Sequence, residues 1–437
     1  MPVESYAVLI ILCIAIFLWV TEKLHPAVTG LLIIVLLPLF NVVEFSQAVS
    51  GFMNSSIWLL IGVFILSAAM NKTGLDKRIA YSLVIGGKAN TKSLVYVSVA
   101  AVIILSFIIP SAAGRSALLI PILAGFIRTM SLEKSNLAIV LMLSVTYTSH
   151  TIAAALLTSS LSTVYTSSIL EKTINYSFGY LEWFIIMFPP SLLMSLLVAP
   201  ILMKIFPIEK ISLQDGMKIV ESELLKMGKI TKQETKLVVL FCLMFLLWVT
   251  NSITHIPLGL SALAVSVLVF MPGIGLIEWR EAVQKVDWGS IIIFGSSIGL
   301  AFALQETGTI NWLASLAFGF TNKLPIELTV TAIYVLFMII RFGFGSVLGF
   351  VTIVIPLAIA TATVNNGNPI WLTMVALLGS SLCFFLPSQS PANLPAYSTG
   401  FFKTKDMLKA GVAISAMYII MSTLAANVYW PLVGLTP

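Results

Sequence analysis

The chain has 437 residues, 59% of them hydrophobic and 10% charged, with a mean hydropathy of +1.04 and a formal net charge of +6. A soluble domain carries roughly 25% charged residues, so a water-facing surface cannot be built here, and so apolar a chain is not disordered. It reads as an all-α polytopic membrane protein.

A spanning helix needs about 20 largely apolar residues. Apolar runs lie near 5–21, 26–40, 54–70, 93–109, 116–131, 135–165, 178–205, 236–250, 257–271, 288–304, 326–344, 350–364, 369–399 and 409–431. Several are short and two look interrupted. The first lacks a basic flank and a small-residue cleavage site, so it is kept as a span rather than a signal peptide. The three cysteines, Cys13, Cys242 and Cys383, sit far apart inside apolar runs and form no CxxC pair, zinc spacing or disulfide framework. Between 205 and 236 lies the one clearly polar stretch, which divides the chain into near-equal halves.

The halves repeat. Leu18-Trp19-Val20-Thr21 recurs as Leu247-Trp248-Val249-Thr250, Gln47-Ala48-Val49 as Glu281-Ala282-Val283, and Thr73-Gly74 as Thr307-Gly308. Ser111 followed by Pro121 recurs as Ser346 followed by Pro356. The matches share one order and nearly one offset, as an internal duplication requires. Duplicated halves are a transporter signature, with the site at the repeat interface.

If 93–109 with 116–131, and 326–344 with 350–364, are re-entrant hairpins, each half has five crossings and the repeats are inverted. With both termini outside, every Lys and Arg falls on an inner segment except Lys172, Lys323, Arg115 and Arg341. That positive-inside pattern places the central linker in the cytoplasm and the chain in the cell (inner) membrane. It also accounts for the basic balance without any nucleic-acid surface. Gly74–Gly87 and Gly308–Phe318, after the third crossing of each half, fit short helices lying in the interface.

Four segments carry the chemistry. The first hairpin tip contains Ser111, Ala112, Gly114 and Arg115; the second contains Arg341, Gly345 and Ser346. Their Pro and Gly residues free backbone groups at membrane depth, which is tolerated only in protein or beside a wet cavity. The helix after each tip aims its positive dipole end at that cavity, which suits an anion. The run Ser144–Thr163 is dense in hydroxyls, and Phe385–Gly400 holds Pro387, Pro391 and Pro395, which cannot share one intact helix. Thr158, Ser159, Ser160, Thr163, Ser388, Gln389, Ser390 and Asn393 can donate to a carboxylate or sulfate, or can satisfy one another and the freed backbone. Ser111–Arg115 is expected to approach Thr158–Thr163, and Gly345–Gly349 to approach Ser388–Asn393.

Arg115 and Arg341 are costly at membrane depth, roughly 2.5–3.5 kcal/mol each. In hairpins facing one site they point to a charged partner; the alternative is pairing with carbonyls or snorkelling. All 18 Asp and Glu lie in loops or near span ends, so the buried carboxylate on which a cation or proton antiporter relies is missing. His150 precedes the first break and is read as a packed neutral residue or a proton-sensitive ligand. An enzyme is not indicated: the chain has no HExxH and no intramembrane Asp pair. No cofactor or metal site is expected.

The chain resembles the divalent anion:sodium symporter family of dicarboxylate, citrate and sulfate transporters. The similarity starts at Trp19–Phe40, includes Asn71–Ala80 and is most specific in Phe384–Gly411, where the family typically shows a Pro-Pro-Asn-like turn. The resemblance implies a homodimer in the lipid bilayer, inverted repeats and an elevator mechanism. It divides the chain into a first repeat, 1–205 (scaffold 1–92, hairpin and transport part 93–205), a linker, 206–235, and a second repeat, 236–437 (scaffold 236–324, hairpin and transport part 325–437). Sodium-coupled members carry Ser-Asn-Thr at each tip. Here the tips are Ser111-Ala112-Ala113 and Ser346-Val347-Leu348, and only the serines match. Arg115 and the run Phe344-Gly345-Ser346 look like the exchanger branch, where a guanidinium could stand in for sodium. The expected function is secondary transport of a small divalent anion, most simply a di- or tricarboxylate, by sodium-independent exchange. Sodium-coupled symport is the alternative, and a cation or proton antiporter is the weaker one.

Overall fold

The computed structural model describes residues 3–21, 23–86, 90–318 and 325–437, all helix and loop with no strand among them. Gly87, Lys88 and Lys323 lie outside the described residues.

The first half runs α1 (Val3–Thr21), α2 (Pro26–Leu39), the single turn α3 (Phe45–Ala48), α4 (Ser55–Thr73), α5 (Leu75–Ile85), α6 (Thr91–Leu105), α7 (Ala112–Thr129), α8 (Asn136–Thr151), α9 (Leu161–Ile174) and α10 (Tyr180–Ile205). A linker helix, α11 (Gln214–Lys226), follows. The second half repeats the order: α12 (Lys232–Val249), a short α13 (Asn251–Thr254), α14 (Leu258–Leu268), α15 (Trp279–Lys285), α16 (Trp288–Glu306), α17 (Thr309–Phe318), α18 (Ile326–Ile340), α19 (Val347–Val364), α20 (Pro369–Ser380), the turn α21 (Leu394–Tyr397), α22 (Thr404–Leu424) and α23 (Trp430–Leu432).

Local details repeat too. The Trp19 indole N–H donates to the Pro26 carbonyl at 3.4 Å, and that of Trp248 to the Leu258 carbonyl at 3.3 Å, each closing the turn between two helices. Gly74 and Gly308 both sit at positive φ, 77° and 67°, the left-handed conformation that ends a helix cheaply only for glycine.

Seven helices among the described residues are long and apolar enough to cross a bilayer: α1, α4, α7, α10, α16, α19 and the stretch from α22 into α23. Outward faces of α1, α2, α12 and α22 leave Ile10, Phe17, Leu31, Val35, Val239, Leu246, Val412 and Ile420 exposed, as a lipid-facing surface does. At the centre α8 is buried on every side from Leu141 to Thr151.

The halves knit across each other, α4 against α14 and α2 against α16. A Cβ on Gly259 would lie 2.4 Å from the Ser55 carbonyl oxygen, so only glycine allows that approach. The Tyr147 hydroxyl lies 2.9 Å from the Phe384 carbonyl and 3.1 Å from that of Met407, tying α8 to the second half.

The linker is more ordered than its polarity announces. In α11, Gly216 sits against the Phe126 ring of α7 and Val220 is buried, so a narrow apolar stripe docks the helix on α5 and α7. Helix α12 starts at Lys232, where Thr231 and Glu234 form a capping box. Arg78 of α5 pairs with the buried Glu234 at 2.6 Å and also donates to the Gly228 and Met227 carbonyls at 2.9 and 3.1 Å.

Candidate functional site

Both hairpins end on a serine cap. Ser111 Oγ accepts the Gly114 N–H at 3.3 Å, and Ser346 Oγ accepts the Gly349 N–H at 3.2 Å. After the first break Ser160 does the same for α9, accepting the Thr163 N–H at 3.2 Å while Thr163 Oγ1 accepts the Ser160 N–H at 3.3 Å. Serine is favoured there because its oxygen meets one of the four N–H groups that a helix start leaves unpaired.

These three helix starts meet. A cavity of about 240 Å³ is lined by Ser111, Ala112 and Ala113, by Ser160, Leu161 and Ser162, and by Ser346, Val347 and Leu348. Each trio is a cap followed by the first two residues of a helix, where N–H groups lack helical acceptors and the positive dipole end lies. The fourth segment contributes differently. Ser390 and Pro391 reach the cavity, but α21 is a single turn and Ser390 Oγ is engaged by the Ala392 N–H at 3.2 Å. Pro110, His150, Ala153, Ala154, Leu377, Ser381, Asp287, Ser290 and Ile293 complete the wall.

The arginines lie behind this wall, fully buried, and neither lines the cavity. Arg115 Nη1 donates to the Ile109 and Ser159 carbonyls, each at 2.9 Å, and Nη2 to the Ser149 carbonyl at 2.9 Å. The break frees that last oxygen, since the Ala153 N–H bonds to His150 O instead. Arg341 Nη1 donates to the Ser346 carbonyl at 3.0 Å and Nη2 to the Gln389 carbonyl at 2.7 Å, with the guanidinium 5.5 Å from the Phe350 ring centroid. Each arginine thus rivets a hairpin tip to its neighbouring broken segment, though the two come from opposite arms of their hairpins. This brings Ser111–Arg115 to Ser159, and the second tip to Gln389.

His150 and Asn393 cross between the halves, Nε2 to Oδ1 at 2.9 Å. The Asn393 amide is oriented by Nδ2, which donates to the Cys383 and Leu386 carbonyls at 3.1 and 2.9 Å. Its oxygen therefore faces His150, whose Nε2 must carry the proton.

Of the other residues picked out from sequence, several serve the backbone. Ser159 Oγ donates to the Ala153 or Leu156 carbonyl, at 2.6 and 2.9 Å, and Gln389 Oε1 accepts the Phe385 and Leu386 N–H groups at 2.9 and 3.0 Å. Thr158 is buried, Ser388 is exposed and Gly345 half-buried; with Gly114, they do not line the cavity. The sequence reading missed Asp287 and Ser290. Asp287 caps α16, Oδ1 accepting the Ser290 N–H at 3.0 Å. An Asp three residues before a Ser at the head of an apolar run is a recognisable start signal, but nothing local ties it to the hairpins.

Residues 1–436 match the family described as the sodium:sulfate symporter transmembrane region. The chain belongs to this family, the divalent anion:sodium symporters. It is accordingly a multi-pass membrane transporter of a small anion and not an enzyme. A protein of Cupriavidus necator described as a membrane protein is 27% identical, covering 99% of this chain and 89% of that one. The L-tartrate/succinate antiporter of Escherichia coli strain K12 is 26% identical, over 90% of this chain and 82% of that protein. The YdaH transporter of Alcanivorax borkumensis shares the fold with a TM-score of 0.59 at 14% identity, covering 90% of this chain and 89% of that one.

Proposed function

We propose that this member of the family exchanges small dicarboxylates across the cell membrane without sodium. One observation carries the reading: the starts of α7, α9 and α19 converge on one cavity, offering unpaired N–H groups and three positive dipole ends to an anion. The likeness to an L-tartrate/succinate antiporter supports both the dicarboxylate and the exchange.

Sodium independence rests on the tips. A sodium ion needs hard oxygen ligands, and Ala112, Ala113, Val347 and Leu348 supply none from their side chains. The Ile109 and Ser346 carbonyls, which could substitute, already accept from Arg115 and Arg341. Those two fixed charges lie just behind the helix starts, so they lower the cost of holding a dianion without contacting it. An empty carrier would have to carry the same charges uncompensated, which makes exchange easier than empty return.

The carrier is read as an elevator, the parts 93–205 and 325–437 moving against a scaffold of 1–92 and 236–324. The family resemblance, with the short helices α5 and α17 flanking each hairpin, supports a homodimer through scaffold segments 5–70 and 236–304. The positive-inside pattern supports a cytoplasmic linker and external termini. Purified protein in proteoliposomes tests the function: labelled succinate, citrate and sulfate are offered with and without sodium and with and without internal substrate. Succinate uptake that needs internal substrate and ignores sodium is expected; uptake that follows a sodium gradient in empty vesicles would return the chain to symport.

A further inference from the structure

Among the described residues, the cavity built for an anion has one Asp, Glu, Lys or Arg side chain in its lining, and that side chain is acidic. Asp287 stands at its rim, exposed, while the guanidiniums of Arg115 and Arg341 are buried behind the wall. Its carboxylate caps α16 through Ser290, which lines the cavity beside it.

The cap does not need a charge. In the first half α4, which matches α16 in length at 19 residues, is capped by Asn54, whose side chain accepts the Ser56 N–H at 2.8 Å. Asparagine caps a helix about as well as aspartate. The two halves therefore solve the same structural problem with different charges, and the charged solution is the one that faces the cavity. Among the described residues no other acidic side chain lines the cavity, so this cap also faces whatever enters it.

We infer that Asp287 is a specificity-determining residue that filters substrates by charge, and this rests on the carboxylate-transport reading above. Three helix starts attract any anion that enters. The energy gained grows with ligand charge, so without a counterweight the cavity would hold a trianion most tightly and release it slowly. Asp287 supplies the counterweight. Its repulsion also scales with ligand charge, so it weighs more on a trianion than on a dianion. Each added carboxylate therefore gains from the helix starts and loses to Asp287, and the loss weighs most on the ligand with the most charge.

The test uses full-length protein in proteoliposomes loaded with succinate, reading the inhibition of labelled succinate exchange by unlabelled succinate and by citrate at a pH where citrate is fully ionised. The ratio of the two inhibition constants is compared between wild type, Asp287→Asn, Asp287→Ser and Asp287→Glu. Both neutral variants retain a capping side chain, so a folding failure of one leaves the other. The ratio is expected to move toward citrate by about tenfold in the neutral variants for a charge separation of several ångströms, to shrink in high salt, and to stay at the wild-type value in Asp287→Glu. A ratio unchanged within twofold in both neutral variants, with wild-type exchange intact, overturns the role of Asp287 alone. Wild-type protein that exchanges neither succinate nor citrate overturns the transport reading and this inference with it.

Discussion

His150 and Asn393 meet across the two halves, Nε2 to Oδ1 at 2.9 Å, and this bond joins the two broken segments beside the cavity. Both residues are almost fully buried, so either one truncated leaves the other polar group stranded. A stranded buried group costs about 1–3 kcal/mol. His150→Ala and Asn393→Ala should each lower thermal stability by that order and reduce exchange at least tenfold. The double variant should be markedly less impaired than the sum, because the penalty is counted once. Full additivity in thermal unfolding would show that the contact carries no coupling.

Arg115 holds three carbonyls that span the first tip and both edges of the first break. Lysine presents its donors from one point and cannot reproduce that fork. Arg115→Lys should therefore fail nearly as badly as Arg115→Ala, with anion binding lost or weakened at least a hundredfold by calorimetry. Lys405→Ala, at an exposed position, should bind as wild type. If Arg115→Lys bound normally, charge alone would suffice and the riveting role would be wrong.

The Arg78–Glu234 pair anchors the linker to α5. Glu234 is 1% exposed, so Arg78→Ala leaves its carboxylate with only the Thr231 N–H, a loss of about 1–3 kcal/mol. Arg78→Ala with Glu234→Gln should recover much of it. Limited proteolysis at the linker, together with thermal unfolding, reads both effects, and a single variant as stable as wild type would contradict them.

Gly259 packs directly on the backbone of α4. A larger residue there must push the halves apart, because the obstructing atom is a carbonyl oxygen rather than a movable side chain. Gly259→Val should cost about 1–3 kcal/mol or more, seen as a lower unfolding temperature in detergent. A neutral result would mean that the α4–α14 seam is looser than its geometry.

Much of this site is legible in the sequence. Ser111 and Ser346 stood out because a serine followed by a proline in the next helix recurred at one spacing, and both proved to be helix caps. The breaks were legible from proline and hydroxyl density, since closely spaced prolines remove the N–H groups that an unbroken helix needs. The aim of the arginines was not. Which carbonyls go unpaired depends on how the two breaks unwind, and Arg115 turns toward Ser149 O only because the Ala153 N–H bonds elsewhere. Asp287 was hidden for another reason: α16 reaches the cavity through tertiary packing, and a residue at a span end looks the same whether it meets water or substrate. The linker helix left a trace in its sequence, with Asp215 and Lys218, and Glu223 and Lys226, paired at i,i+3, but polarity masked the short stripe of Gly216 and Val220.

Sodium-free counterflow tests the central claim most directly. Proteoliposomes preloaded with unlabelled succinate are placed in potassium buffer containing labelled succinate, beside identical empty vesicles. The account predicts rapid accumulation in the loaded vesicles, little in the empty ones, and no change in either when sodium replaces potassium. Accumulation in empty vesicles that appears only with an inward sodium gradient would contradict it.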